Sequence, residues 1–276
     1  MSIETLLKHV YELPSIPKVV QELIMSFSSD SESAMDISAR IQTDPVIAAK
    51  VLRLANSARY GVGRHVTSID SAVVLLGVDV LKTLVISSGV SATMSHISGL
   101  NMKQFWRDSF LIANTSKILA NCAADVDAET AFTCGLLHKI GIALMYFGNK
   151  EQMQCLASAL EPNEDSRQKQ REIFGYECDE VAARLAKMWC FPSVIQEALL
   201  RQHEPMQAEP FSPYAAIIKL ALIIHEHLDH QVSIEDTIST LKKDMVDALR
   251  LDTYGVFKGM SKLCEAEDDI DLLLAA

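Results

Sequence analysis

Residues 131–141 read AFTCGLLHKIG, which sets an imidazole, His138, directly before an ammonium, Lys139. Neutral histidine and carboxylate are the ligands that divalent cations take when they activate water for attack on phosphorus. A lysine has three donors and no acceptor, and its charge repels a dication at close range. The dipeptide therefore offers one possible metal ligand with a cation directly beside it. Without a metal triad, His138 reads as a core histidine satisfied by a backbone carbonyl or a neighbouring side chain. His203, in RQHEP, falls at a helix end, where an imidazole commonly caps the last carbonyls. His225, His227 and His230 lie in IIHEHLDH beside Glu226 and Asp229. The His-Glu-x-x-His order of zinc proteases is absent, and His225 and Glu226 diverge by about 100° around a helix, so a solvated face is expected there. No Gly-rich phosphate loop, Gly-x-Ser-x-Gly elbow or Cys/His couple with an orienting partner stands out.

The elements that must position these groups are helical, because apolar residues recur at steps of three and four almost everywhere. Asp44 and Pro45 open a helix whose stripe is Ile47, Val51, Leu54, Ala55 and Ala58, ended by Gly61. Ser33 and Asp36 have capping-box spacing, Ser68 starts a helix, and Gly77 closes it. A long amphipathic helix is expected over about 102–121, with Phe105, Ile112, Ser116 and Leu119 on one side. From Asp127 a single helix is expected to carry Ala131, Gly135, His138, Ile142 and Met145 inward. Further helices follow near 151–159, 163–174, 178–190, 193–203, 212–230, 234–250 and 254–274, punctuated by Pro162, Gly175, Pro192 and Pro205. The fold class is all-α: an N-terminal bundle of short helices (1–100) packed on a second helical bundle (101–231), with a C-terminal helical extension (232–276). The polar stretch around Gly99 is the expected hinge, and Trp106 and Trp189 are expected in the core.

Composition bounds the function classes. Of 276 residues, 49% are hydrophobic and 22% charged, enough to build a substantial core. The longest apolar runs, such as YAAIIKLALII, fall short of the roughly 18 residues that a membrane span needs. The N-terminus has neither a basic leader nor a long apolar segment, so a cytoplasmic address is expected. Cys122, Cys134, Cys155, Cys178, Cys190 and Cys264 form no CxxC pair, which fits reduced core thiols rather than a zinc ribbon. A net charge of −11 without a basic cluster argues against a nucleic-acid partner.

The segments LPSIPKVV (13–20), IQTDPVIAAKVLRLANSARYG (41–61), SIDSAVVLLG (68–77), FWRDSF (105–110), GLLHKIG (135–141), FGYECDEVAARLAKMWCFP (174–192) and QHEP (202–205) occur in this order. Together they resemble the HDOD family, the HD-related output domain of bacterial signalling proteins, over roughly residues 7–230. The resemblance implies a helical bundle akin to the core of HD metal-dependent phosphohydrolases, in a family generally regarded as regulatory. HD enzymes hold metal with a first histidine, a His-Asp pair and a later aspartate. The matching positions here are Asp108, His138-Lys139 and Leu222. Relatives with additional ligands carry histidine where Cys178 stands and a double histidine at Gln202-His203.

On this reading the pocket of Asp108, His138, Lys139, Cys178, His203 and Leu222 is vestigial, with no metal and no cofactor. Lys139 is expected to supply the positive charge that metal would supply, pairing with Asp108 across two helices. The expected function is a non-catalytic regulatory module that contacts a signalling protein or binds a nucleotide second messenger. The rival is a non-standard phosphohydrolase using Asp108, His138 and His203. Asn56, Ser57, Arg59 and Tyr60 form a second candidate, an interaction surface, against the simpler reading that Asn56 and Ser57 organise a helix end. The acidic segment SKLCEAEDDIDLLLAA is expected to pack as a clasp, since so many exposed leucines would invite association.

Overall fold

The computed structural model describes residues 2–8, 16–25, 33–56, 66–160 and 166–265. Among these there is no strand. The first helices are α1 (Ile3–Lys8), α2 (Lys18–Met25), α3 (Ala34–Gln42), α4 (Pro45–Ala55), α5 (Ile69–Leu76) and α6 (Val78–Thr93). The middle of the chain forms α7 (Met102–Asn121), α8 (Ala128–Leu137), α9 (Ile140–Gly148), α10 (Lys150–Ala159), α11 (Ser166–Phe174), α12 (Cys178–Met188), α13 (Ser193–Arg201) and α14 (Pro213–Asp229). The chain then closes with α15 (Ile234–Ser239), α16 (Lys243–Leu249) and α17 (Thr253–Glu265).

The helix starts follow from side chains that satisfy orphan backbone N–H groups. Ser33 and Asp36 form a full capping box on α3, and Asp44 Oδ1 accepts from the N–H of Val46 and Ile47 at 3.0 and 3.1 Å. Ser68 caps α5, and Asp127 caps α8 through Thr130 N–H at 2.7 Å. Gly77, with φ of +83°, ends α5 and turns the chain by 119° into α6.

Helix α6 is longer than the short helices expected of this region. Its sixteen residues bury Leu81, Val85, Ile86 and Val90 together with Thr83, Ser87 and Ser88. A helix covered on all sides shows no single apolar stripe, so periodicity could not delimit it. The helix expected to run from Asp127 through Met145 is interrupted at His138-Lys139, which form the turn between α8 and α9. The helix expected over 234–250 is also divided. The hydroxyls of Ser239 and Thr240 turn back to the carbonyls of Asp236 and Thr237, an alternative to helical continuation.

Helix α7 is the spine of the molecule. Its Phe105, Trp106, Phe110 and Ala113 belong to a core that runs from Ile3 to Ile218 and so joins the first helices to α8–α13. Its Ile112 and Leu119 belong to a second core, in which Met245, Leu249, Val256 and Met260 attach α16 and α17. Trp106 is buried, with its indole N–H donating to the Met94 carbonyl at 3.3 Å, and Trp189 packs against the first core from a partly buried position. Gly135 permits the tight α7–α8 contact, since a Cβ there would lie 2.7 Å from Ala113 Cα.

Cys134 and Cys178 are buried as expected, but Cys155 and Cys190 are exposed and Cys122 is intermediate. The expectation of six core thiols is corrected: Cys155 and Cys190 stand on outward positions of their segments. By length and composition, the run Ala128–Gly148 is apolar enough to cross a membrane, which the sequence reading had not anticipated. Within that run, 72% of an 18-residue window is buried inside the fold, as befits the central helices of a packed bundle.

Candidate functional site

The turn between α8 and α9 holds His138 and Lys139. His138 is buried, and its Nδ1 lies 2.7 Å from the Gly135 carbonyl oxygen, so Nδ1 carries the proton. That bond, one turn back along α8, fits the reading of a core histidine. Burial, followed by the neighbouring Lys139 charge, brings its pKa down to about 3. The ring is neutral across the physiological range.

A stability profile follows with a definite sign. The folded value lies below the unfolded value of about 6.5, so the His138 contribution is complete above about pH 6.5 and is lost as pH falls toward about 3. Between those limits its share of the slope approaches about 1.4 kcal/mol per pH unit. Urea unfolding at pH 7 and pH 5 should show the wild type losing more stability than His138→Gln over the interval. Parallel profiles for the two proteins would contradict the assignment.

Lys139 turns the other way. Its Nζ lies 2.8 Å from Asp108 Oδ2, the pairing across two helices that the sequence led us to expect. The same ammonium sits 4.9 Å from the centroid of the Phe105 ring, a cation–π contact from the helix that supplies Asp108. Burial pulls the Lys139 pKa down, and the Asp108 carboxylate opposes that pull. The Asp108 side chain is 43% exposed and also accepts from Gln104 Nε2 at 2.6 Å. The pair thus sits at a rim rather than in the buried pocket expected from sequence.

Cys178, His203 and Leu222 are arranged differently from one another. Cys178 begins α12, and its N–H donates to Gln170 Oε1 at 2.7 Å. Its thiol points to Asp179 Oδ1 at 3.5 Å, with burial raising its pKa well above the ordinary range. His203 does not cap α13. Its Nε2 stands 3.3 Å from Asp179 Oδ2, because the chain beyond Arg201 turns the ring toward the start of α12. Leu222 is partly buried between the two cores and brings only hydrocarbon.

Two further residues tie this region together: Asp179, which no sequence motif marks as a site residue, and Gln202, read from sequence only as the place of a histidine in relatives with additional ligands. Gln202, 1% exposed, donates through Nε2 to Asp179 Oδ1 at 2.8 Å, to the His138 carbonyl at 2.9 Å and to the Leu199 carbonyl at 3.1 Å. It links the His138 turn to the Asp179–His203 pair. Asp179, 4% exposed, is the carboxylate at the centre. The only sequence signal for it was its place in the first turn of a helix, where a negative charge is stabilised. His225 was expected on a solvated face, yet its Nε2 lies 3.0 Å from Thr115 Oγ1, bridging α14 and α7. Among the described residues, no group of three or more His, Cys, Asp or Glu side chains could hold a metal ion.

Asn56 lies apart from this site. Its amide imitates a peptide group, donating to the Leu52 and Val66 carbonyls at 2.7 and 2.8 Å and accepting from Val66 N–H at 2.7 Å. That is the role of organising a helix end. Ser57, Arg59 and Tyr60, like Ala58, Gly61, Pro162 and the residues after Glu265, lie outside the described residues.

The fold and this site define an all-helical module built on an HD-like frame. A profile of the HDOD domain matches residues 13–205, and the chain belongs to that family. A candidate phosphohydrolase of Shewanella amazonensis SB2B superposes with a TM-score of 0.84 at 31% identity, over 98% of this chain and 97% of that one. An HDOD domain protein of unknown function from Geobacter sulfurreducens gives a TM-score of 0.80 at 22% identity, over 99% of both chains. A curated, uncharacterized protein of Treponema pallidum (strain Nichols) is 23% identical over 235 residues, which are 81% of this chain and 44% of that protein. The chain thus spans less than half the length of that relative.

Proposed function

We propose that this chain is a non-catalytic regulatory module of bacterial signal transduction, which works by binding a signalling protein or a small ligand. One observation carries the reading: the Lys139 ammonium lies 2.8 Å from the Asp108 carboxylate. In the HD arrangement those two positions supply metal ligands. Here they neutralise one another, and the positive charge belongs to the protein. The donor set does not fit a divalent cation. Lys139 repels it, Leu222 has no donor atom, the Cys178 thiol is held protonated by burial, and His203 is turned to Asp179. No hydrolytic step is derived through such an ion.

A second reading, a non-standard phosphohydrolase, is favoured by the name of the Shewanella relative. It would have to draw on Asp108, His138 and His203, and each of these already has a protein partner. Elemental analysis of protein purified without chelator, with phosphoesterase assays in the presence and absence of manganese, separates the two. The regulatory reading expects no stoichiometric metal and no manganese-dependent turnover. Turnover that requires manganese and disappears in His138→Ala would replace it with the enzyme.

A further inference from the structure

Beside the Asp179–His203 pair, α11, α12, α13 and the short 3-10 turn Pro205–Gln207 enclose a cleft of about 350 Å³. Three arginines line it, Arg167, Arg171 and Arg201, in a chain whose net charge is −11. Arg171 Nε lies 2.6 Å from Glu177 Oε1 and Arg201 Nε lies 3.1 Å from Glu197 Oε1. Arg167 Nη1 lies 3.8 Å from Glu204 Oε1. A guanidinium has five donors in a planar fork, and a single carboxylate takes one or two of them. Arg171 and Arg201 therefore retain donor capacity beyond those contacts.

Four carboxylates, Glu177, Asp179, Glu180 and Glu204, share the lining with the three guanidiniums, and each has a protein partner. Asp179 faces His203 and Gln202, Glu180 accepts from the Glu177 N–H at 3.4 Å, and Glu177 and Glu204 rest on arginines. A phosphoryl group, with three acceptor oxygens and up to two charges, can replace Glu177 and Glu204 on those forks and satisfy more donors at once. Among the described residues, the lining includes no aromatic ring, and Leu200 is its one large aliphatic side chain. A nucleobase would find no stacking platform there.

The geometry points to a binding site for a small phosphate ester or diphosphate without a nucleobase, held by Arg167, Arg171 and Arg201. This rests on the reading of the chain as a binding module and gives it a ligand class, distinct from the nucleotide messenger expected from sequence. The cleft volume lies at the lower end of ordinary small-molecule sites, which suits a ligand of that size.

Calorimetric titration of the full chain with inorganic pyrophosphate at low ionic strength tests the assignment. Binding should weaken by about tenfold or more in Arg171→Gln and in Arg201→Gln, the loss of one charge-assisted fork. It should be unchanged in Arg184→Gln, whose side chain pairs with Glu4 outside the cleft. Adenosine diphosphate should bind no more tightly than pyrophosphate. Circular dichroism checks each variant; if Arg171→Gln fails to fold, Arg201→Gln decides, because its partner Glu197 is an exposed neighbour on the same helix. Absence of wild-type binding, unchanged binding in the cleft variants, an equal loss in Arg184→Gln, or a nucleotide preference of tenfold would each overturn the site. Those failures leave the non-catalytic reading standing, since metal content and turnover decide that separately.

Discussion

Gly141→Ala is expected to destabilise the protein by roughly 3 kcal/mol or more, the largest effect of an added methyl at any described glycine. Gly141 lies in the first turn of α9, where that helix crosses the start of α12. A Cβ there would stand 1.9 Å from the Cys178 carbonyl oxygen, 2.8 Å from its carbonyl carbon and 3.0 Å from Ala182 N. All three atoms are backbone, so no rotamer change relieves the overlap and the two helices must separate. The separation would also disturb Asp179, one residue beyond Cys178. For a chain of this size the loss corresponds to a fall in Tm of about 6–12 °C. Gly175 provides a contrast: it has φ of +80° but nothing within 4 Å of its would-be Cβ, so Gly175→Ala should cost only about 1 kcal/mol of backbone strain. Equal losses in the two variants would show that the α9–α12 contact is softer than described.

The second large effect is expected of Gln202→Leu, at about 2–4 kcal/mol. The substitution keeps most of the side-chain volume and removes an amide that serves three buried acceptors. The most consequential is Asp179, whose carboxylate is 4% exposed and would retain His203 and the weak Cys178 thiol as its remaining side-chain partners. Part of the cost is returned, because Gln202 Oε1 is itself buried without a partner. Denaturant midpoints with an unchanged m-value would measure the difference. A neutral substitution would mean that Gln202 does not hold the His138 turn to α12.

These two sites also show how much the sequence could reveal. Helix starts were legible because a cap is a local event: Ser33 with Asp36, Asp44, Ser68 and Asp127 each bond within three residues. The Asp108–Lys139 pair, although remote in sequence, was legible through family motifs and through the cost of leaving an ammonium alone. The Asp179–His203–Gln202 cluster was not, because it depends on how the chain turns after α13, and no periodicity encodes that turn. His225 was missed for a related reason. Its polar neighbours Glu226 and Asp229 suggested solvent, while its actual neighbour, Thr115, is 110 residues away. The break at His138-Lys139 escaped because an apolar stripe continues on both sides of a two-residue turn.

Lys139 and Asp108 satisfy one another, and on the proposed reading they do so where HD enzymes ligate metal. The most direct measurement is the melting temperature of the wild type in a manganese titration, with Lys139→Asp as comparison. A ligand that binds the folded state raises stability with concentration, by about 2.7 kcal/mol at a hundredfold excess over Kd. No rise is expected for the wild type at micromolar manganese. A concentration-dependent rise in the unmodified protein, lost in His138→Ala, would contradict it.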